Sequence, residues 1–178
     1  QLLGTNGLVT FTVLMYIYNL VLMVMVGTSQ GTQPLVSFYY GRNDKKAVST
    51  LHKYARVLVS CAGALLFLVV EIFAPNITSA FIPKDTANYY NTIIALRQFS
   101  FVFLIMGHVV ITSGYMVALE EPRKAFVLSI SRGILFVLLS LFICTTLFKE
   151  NGIWISCTIS EIFCLSIALY DLKTQKKI

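Results

Sequence analysis

The sequence predicts an all-α polytopic membrane protein with five transmembrane helices. Of its 178 residues, 57% are hydrophobic and only 12% are charged, whereas soluble domains carry about 25% charged residues. The charged residues also cluster between long apolar runs. Because a helix needs roughly 20 apolar residues to cross a bilayer, each run is long enough to span one. The predicted spans are approximately 8–40, 56–82, 91–118, 125–148 and 152–171, all within one membrane domain.

Basic residues alternate between the two sides of this arrangement. One side holds ten of them, in the loop 41–56, the turn 120–124 and the tail 173–177, whereas the other side holds only Lys84 and Lys149. The positive-inside rule therefore predicts a cytoplasmic C-terminus. The net charge of +6 is explained by this basic face beside the lipid bilayer, so we expect no nucleic-acid partner.

A polar island interrupts the first span. As one continuous helix this span would be about 50 Å long, which exceeds the bilayer, and Pro34 marks a predicted kink. Gly27 and Gly31 form a pair of small residues that would allow another helix to approach closely. Gln30 and Gln33 lie one turn apart. Amides are costly in lipid, so we expect them either to bond neighbouring helices or to line a substrate cavity.

The third span carries a second polar group. His108, Thr112 and Tyr115 share a helical stripe with Arg97, Phe101 and Leu104. Such a stripe is suited to a cavity for flat cations, or to a packed interface with one hydrogen-bonded imidazole. The four cysteines show no CxxC spacing, so no metal site is predicted.

One pair of opposite charges is predicted inside the membrane, and a second pair is possible. Arg132 and Glu161 fall in the last two spans, and an intramembrane charge is usually paired because an isolated one is costly. The pair is interpreted either as structural or as one that changes partner during transport. Glu71 and Arg97 lie at similar depth and form a second candidate pair, with snorkelling to the interface as the alternative.

Several short motifs together resemble one family. The segment 27–41 reads GTSQGTQPLVSFYYG, and further motifs follow at 113–115 (SGY), 121–125 (EPRKA), 131–132 (SR) and 152–154 (GIW). In this order and at these separations they resemble helices eight to twelve of the MATE (multidrug and toxic compound extrusion) family, with the DinF-like bacterial branch the most similar.

The resemblance implies a partial C-terminal lobe of a twelve-helix transporter, without helix seven and the first lobe. It implies a bacterial inner-membrane protein that exports small organic, often cationic, compounds by alternating access in antiport with H⁺ or Na⁺. No cofactor is expected. The family's coupling aspartate lies in the first helix, outside this chain, and residues 91–118, which correspond to helix ten, contain no Asp or Glu.

Three other functions remain open at this stage. A lipid-linked oligosaccharide flippase of the same superfamily would need cations for pyrophosphate, and Arg97, His108 and Arg132 are the candidates. A membrane enzyme would need paired carboxylates or a nucleophile beside a base, but Glu161 and His108 are isolated in the sequence. A scaffolding subunit would not need the polar island of the first span.

Overall fold

The computed structural model describes residues 4–148 and 150–175, and this part of the chain is helical with short turns and no strand. The helices are α1 (Gly4–Gly41), α2 (Lys45–Ser79), α3 (Ala87–Ser100), α4 (Phe103–Ala118), α5 (Pro122–Ile130), α6 (Phe136–Phe148) and α7 (Glu150–Gln175). A single π-helical turn, Ser131–Leu135, joins α5 to α6 without a break.

The described helices provide four or five candidate membrane spans. Four segments are long and apolar enough to cross a bilayer unaided: Gly7–Gly41, Lys45–Ser79, Pro122–Thr146 and Gly152–Tyr170. A fifth candidate is the pair α3 and α4, which is bent by 44° and passes the same test only when the two helices are taken together. The prediction of an all-α polytopic membrane protein is therefore confirmed.

The predicted loop between the first two spans is wrong in its extent. Only Arg42–Asp44 form the turn, and residues 45–56 are the first three turns of α2. Asn43 adopts a positive φ of 60°, and the Asp44 carboxylate accepts a 2.9 Å hydrogen bond from the backbone N–H of Ala47. This N-cap starts the helix early, so the basic residues that suggested a loop lie on an exposed helix instead.

The third span is not the continuous helix that the sequence predicted. It breaks after Ser100, although no proline or glycine lies at the break. Ser100 Oγ lies 2.7 Å from the Arg97 carbonyl oxygen and 2.8 Å from Glu71 Oε1. Beside the break, a Cβ added to Gly63 of α2 would lie 2.5 Å from the Phe103 carbonyl oxygen. The bend therefore depends on contacts with α2, which local sequence patterns do not reveal.

The helices pack around α4, which contacts α1, α2 and α7, while α6 packs on α7. The main apolar core includes Leu14 and Met25 of α1, Phe99 of α3, and Phe103 and Met106 of α4, each at most 1% exposed. A smaller cluster joins the end of α1, the start of α2 and the end of α4. These three ends therefore lie on one side of the fold, which we call the basic end because Arg42, Lys45 and Lys46 lie there.

Candidate functional site

Small polar side chains connect α1 to α4. Ser29 Oγ donates to the Val110 carbonyl oxygen at 3.4 Å, and Ser37 Oγ donates to the Ala118 carbonyl oxygen at 3.3 Å. Ser37 follows Ser29 by eight residues on α1, and Ala118 follows Val110 by eight residues on α4. The contacts therefore recur after about two helical turns. The two helices therefore stay in close register over the half of α1 that contains the polar island.

Gly114 allows this close approach. A Cβ added to Gly114 would lie 2.7 Å from Gln33 Nε2 and nearer still to Ser29 Oγ. Gln33 is half-buried, and its amide therefore packs over the surface of α4. Gly114 belongs to the SGY motif, so the two motifs that carried the family resemblance meet in the fold.

Gln30 lies on a different face of α1 from Gln33. Gln30, Gly27, Gly31 and Pro34 are all exposed, and a Cβ added at either glycine would meet nothing within 4 Å. Helix α1 continues through Pro34 to Gly41. Among the described residues, no helix makes the close approach predicted at the two glycines. The α1 face that carries Gly27, Gln30, Gly31 and Pro34 is called the open face below.

His108 and Tyr115 have their partners on α2. His108 Nε2 lies 3.2 Å from Ser60 Oγ, and the Tyr115 ring lies against His52 with ring centroids 4.0 Å apart. Arg56 lies four residues from both His52 and Ser60 on α2, and it therefore shares the helix face that meets His108 and Tyr115. We call these five residues the α2–α4 polar seam.

Arg132 and Glu161 are in direct contact. Arg132 Nε lies 2.8 Å from Glu161 Oε1, with side chains 21% and 7% exposed. Arg132 Nη2 also lies 3.3 Å from the Tyr18 hydroxyl. Glu161 Oε2 is buried and has no hydrogen-bond partner among the described residues. The group links α1, the π-helical turn and α7.

Glu71 and Arg97 are also close to each other. Arg97 Nε lies 3.7 Å from Glu71 Oε2, with side chains 50% and 28% exposed. Because Ser100 bonds the other carboxylate oxygen, this looser pair sits at the bend between α3 and α4. Among the side chains that the structure describes, no three His, Cys, Asp or Glu residues are grouped as metal ligands would be.

The five predicted cavity residues do not share one surface in this part of the chain. Gln30 is exposed and Gln33 faces α4, while Thr112 is only 2% exposed. His108 and Tyr115 contact α2. Sequence reasoning missed the partners of the polar groups, namely Tyr18, His52, Arg56 and Ser60. Of these, His52, Arg56 and Ser60 recur every four residues, a polar spacing that could have indicated the α2–α4 polar seam.

The fold and these intramembrane groups define a multi-pass α-helical membrane protein. The family described as MatE matches residues 1–142. The chain therefore belongs to the MatE family. No curated protein matches its sequence.

Solved structures show the same fold. The chain is similar to an outward-facing multidrug resistance MATE family transporter of the MOP superfamily, with a TM-score of 0.88, 20% identity and coverage of 98% of this chain and 40% of that one. An inward-facing conformation gives a TM-score of 0.86, 19% identity and coverage of 94% and 40%.

A third similar structure is a MOP superfamily transporter from Pyrococcus furiosus, described as having a binding pocket of reverse polarity that suggests a different function. Its TM-score is 0.89 at 20% identity, with coverage of 97% of this chain and 39% of that one. The chain thus spans about two fifths of the length of the structures it matches.

Proposed function

We propose that this chain forms helices eight to twelve of a secondary-active efflux transporter. In this proposal the transporter exports small organic, often cationic, compounds by alternating access in antiport with H⁺ or Na⁺. Membership of the MatE family supports the proposal. The similar fit to outward-facing and inward-facing structures is what a lobe that moves as one body would give.

The open face of α1 carries the proposal. Gln30 is exposed there, beside Gly27 and Gly31, and hydrocarbon offers no hydrogen bonds to an amide. We therefore infer that this face meets a first lobe across a water-filled cavity. Gln30 lies on the cavity wall, and Gln33 lies about one helical turn nearer the basic end. His108, Thr112 and Tyr115 are left outside this wall, because they contact α2 or lie in the interior.

The coupling site is proposed to lie in the first lobe. Residues 91–118 contain no Asp or Glu, so the bent third span offers no carboxylate to a coupling ion. The excess of basic residues at the basic end supports a cytoplasmic C-terminus, and we propose a bacterial cytoplasmic membrane from the family resemblance alone. The resemblance to the DinF-like branch stays a prediction.

The flippase alternative receives less support from the intramembrane cations. Arg97 has Glu71 as its partner at 3.7 Å, and Arg132 has Glu161 at 2.8 Å. A cation already neutralised by a carboxylate has less attraction left for pyrophosphate. Of the three predicted cations, only His108 lacks a carboxylate partner among the described residues.

The test is drug efflux by the full-length protein in cells at equal expression. Gln30→Leu should reduce efflux, since it removes the exposed amide from the open face. The matched control is Ser166→Ala on α7, whose exposed hydroxyl bonds only its own helix at 2.9 Å, and it should leave efflux unchanged. Unchanged efflux in both Gln30→Leu and Gln33→Leu would reject the cavity. Translocation of a lipid-linked sugar without drug efflux would favour the flippase.

A further inference from the structure

Arg56 differs from Arg97 and Arg132 in its charged partners. Arg97 and Arg132 each lie within 4 Å of a carboxylate, whereas Arg56 has no ion pair among the described residues. Arg56 is half-buried on α2, about three helical turns from its start. An arginine in this position lacks the anion that its charge favours, because guanidinium pairs best with a carboxylate or a phosphate.

The α2–α4 polar seam provides neutral or positive neighbours rather than an acid. His52, Arg56 and Ser60 share one face of α2 because they are four residues apart. On this face Ser60 contacts His108 and His52 contacts Tyr115 of α4. Every side chain here offers an N–H or O–H group, and none is acidic. The seam therefore has the composition of an anion-binding site.

The seam opens sideways, towards lipid. Ser60, one turn from Arg56, and Leu104, one turn from His108, are both exposed, Leu104 by 38%. Beyond them Phe101, which is 49% exposed, packs on Phe67 of α2 with ring centroids 5.1 Å apart, which gives the approach to the seam an apolar surface. Lys45 and Lys46 are exposed at the start of the same helix, where they add positive potential at the basic end. An apolar approach beneath a cationic rim suits a ligand that has acyl chains and a negative headgroup.

We propose that Arg56 binds the phosphate of an anionic phospholipid, in the leaflet at the basic end. The guanidinium would make two parallel hydrogen bonds to phosphate oxygens. His108 and Ser60, 3.2 Å apart, form the side of the site that lies one turn farther from the basic end than Arg56. The site is independent of the cavity on the open face of α1, which lies on another helix surface.

The experiment is native mass spectrometry of the full-length protein taken from nanodiscs that contain phosphatidylcholine with a minor fraction of phosphatidylglycerol. Arg56→Gln should lower the retained phosphatidylglycerol by about tenfold or more, as expected for loss of a charged hydrogen-bonded contact. The matched control is Lys53→Gln, which removes the same charge from an exposed position three residues earlier. Equal losses in the two variants, or no loss in Arg56→Gln, would overturn the proposal.

Two further measurements keep the outcome clear. A phosphatidylglycerol analogue with a photoreactive headgroup should label wild-type protein in the segments 52–60 and 108–115, and labelling confined to other segments would refute the site without any variant. Displacement of the lipid by excess inorganic phosphate would assign the site to a soluble anion instead. Neither result depends on efflux, so failure of this site and failure of the transporter proposal remain distinguishable.

Discussion

Arg132 and Glu161 form the most buried ion pair in the described part of the chain, with Nε and Oε1 2.8 Å apart. Arg132 lies in the π-helical turn that joins α5 to α6, and Glu161 lies in α7. Because a π-helical turn holds one residue more than an α-helical turn, it changes the direction in which later side chains point. The ion pair and the turn together fix how the α5–α6 helix is rotated against α7.

Removing one member of this pair should cost more stability than removing both. Glu161→Leu leaves the Arg132 charge buried without its partner, which costs about 3–5 kcal/mol in comparable buried pairs. The double variant Arg132→Met, Glu161→Leu should recover most of that loss because no charge is left uncompensated. Thermal unfolding in detergent, followed by circular dichroism, measures both variants.

The control for this cycle is the less buried pair Lys124–Glu121, with Nζ and Oε2 2.6 Å apart. Its side chains are 34% and 32% exposed, so Lys124→Met should cost no more than about 1 kcal/mol. The single variants Glu161→Leu and Arg132→Met are compared with their double variant. If the two single losses of stability add up to the loss in the double variant, Arg132 and Glu161 are not coupled.

Gly114 should tolerate no larger side chain. Gly114→Val would force the Ser29 hydroxyl and the Gln33 amide away from α4, and overpacking of this kind costs about 1–3 kcal/mol. The matched control is Gly133→Ala, where an added Cβ meets nothing within 4 Å. Melting temperatures of the two variants check the prediction, and equal temperatures would mean that α1 and α4 are farther apart at Gly114.

The membrane spans could be predicted because their signal lies within each segment. Apolar runs of sufficient length, separated by charges, identify the spans whatever their neighbours are. The break after Ser100 could not be predicted in this way, since it depends on Glu71 and on the close contact at Gly63, both from α2. The extent of α2 was misjudged for another reason: Lys45, Lys46 and Lys53 resemble a loop by charge, although lysine also favours helices.

Some contacts of the polar groups could likewise be predicted from the sequence, and others could not. The pairing of Arg132 with Glu161 could be predicted from the sequence because an isolated charge in a membrane is costly and is usually paired. Tyr18 has no such signal, because it is one of nine tyrosines and contacts Arg132 from 114 residues away. Helical spacing predicts that His108 and Tyr115 share one stripe of α4. It does not predict that α2 lies against this stripe, because that contact depends on how the helices pack together.

Tyr18→Phe should destabilise the protein by about 1 kcal/mol, since it removes the hydroxyl 3.3 Å from Arg132 Nη2. The control is Tyr16→Phe on the same helix, because Tyr16 is 58% exposed and its ring stacks on Phe81. The Tyr16→Phe variant keeps that ring contact, so its free energy of unfolding should stay near that of the wild type. Chemical denaturation at fixed detergent concentration compares the two variants, and equal losses would argue against a bond between Tyr18 and Arg132.

The cysteines should differ in reactivity according to their place in the packing. Cys61 is exposed on α2, whereas Cys144 and Cys164 are 1% and 0% exposed. A membrane-permeant maleimide should therefore modify Cys61 first, since a reagent must reach the sulfur before its thiolate attacks. Mass spectrometry after brief labelling locates the adduct, and Cys61→Ser should abolish the early signal. Early modification of Cys164 would mean that α7 does not pack on α4 as described, because Cys164 shares a buried cluster with Val109 and Met116 of α4.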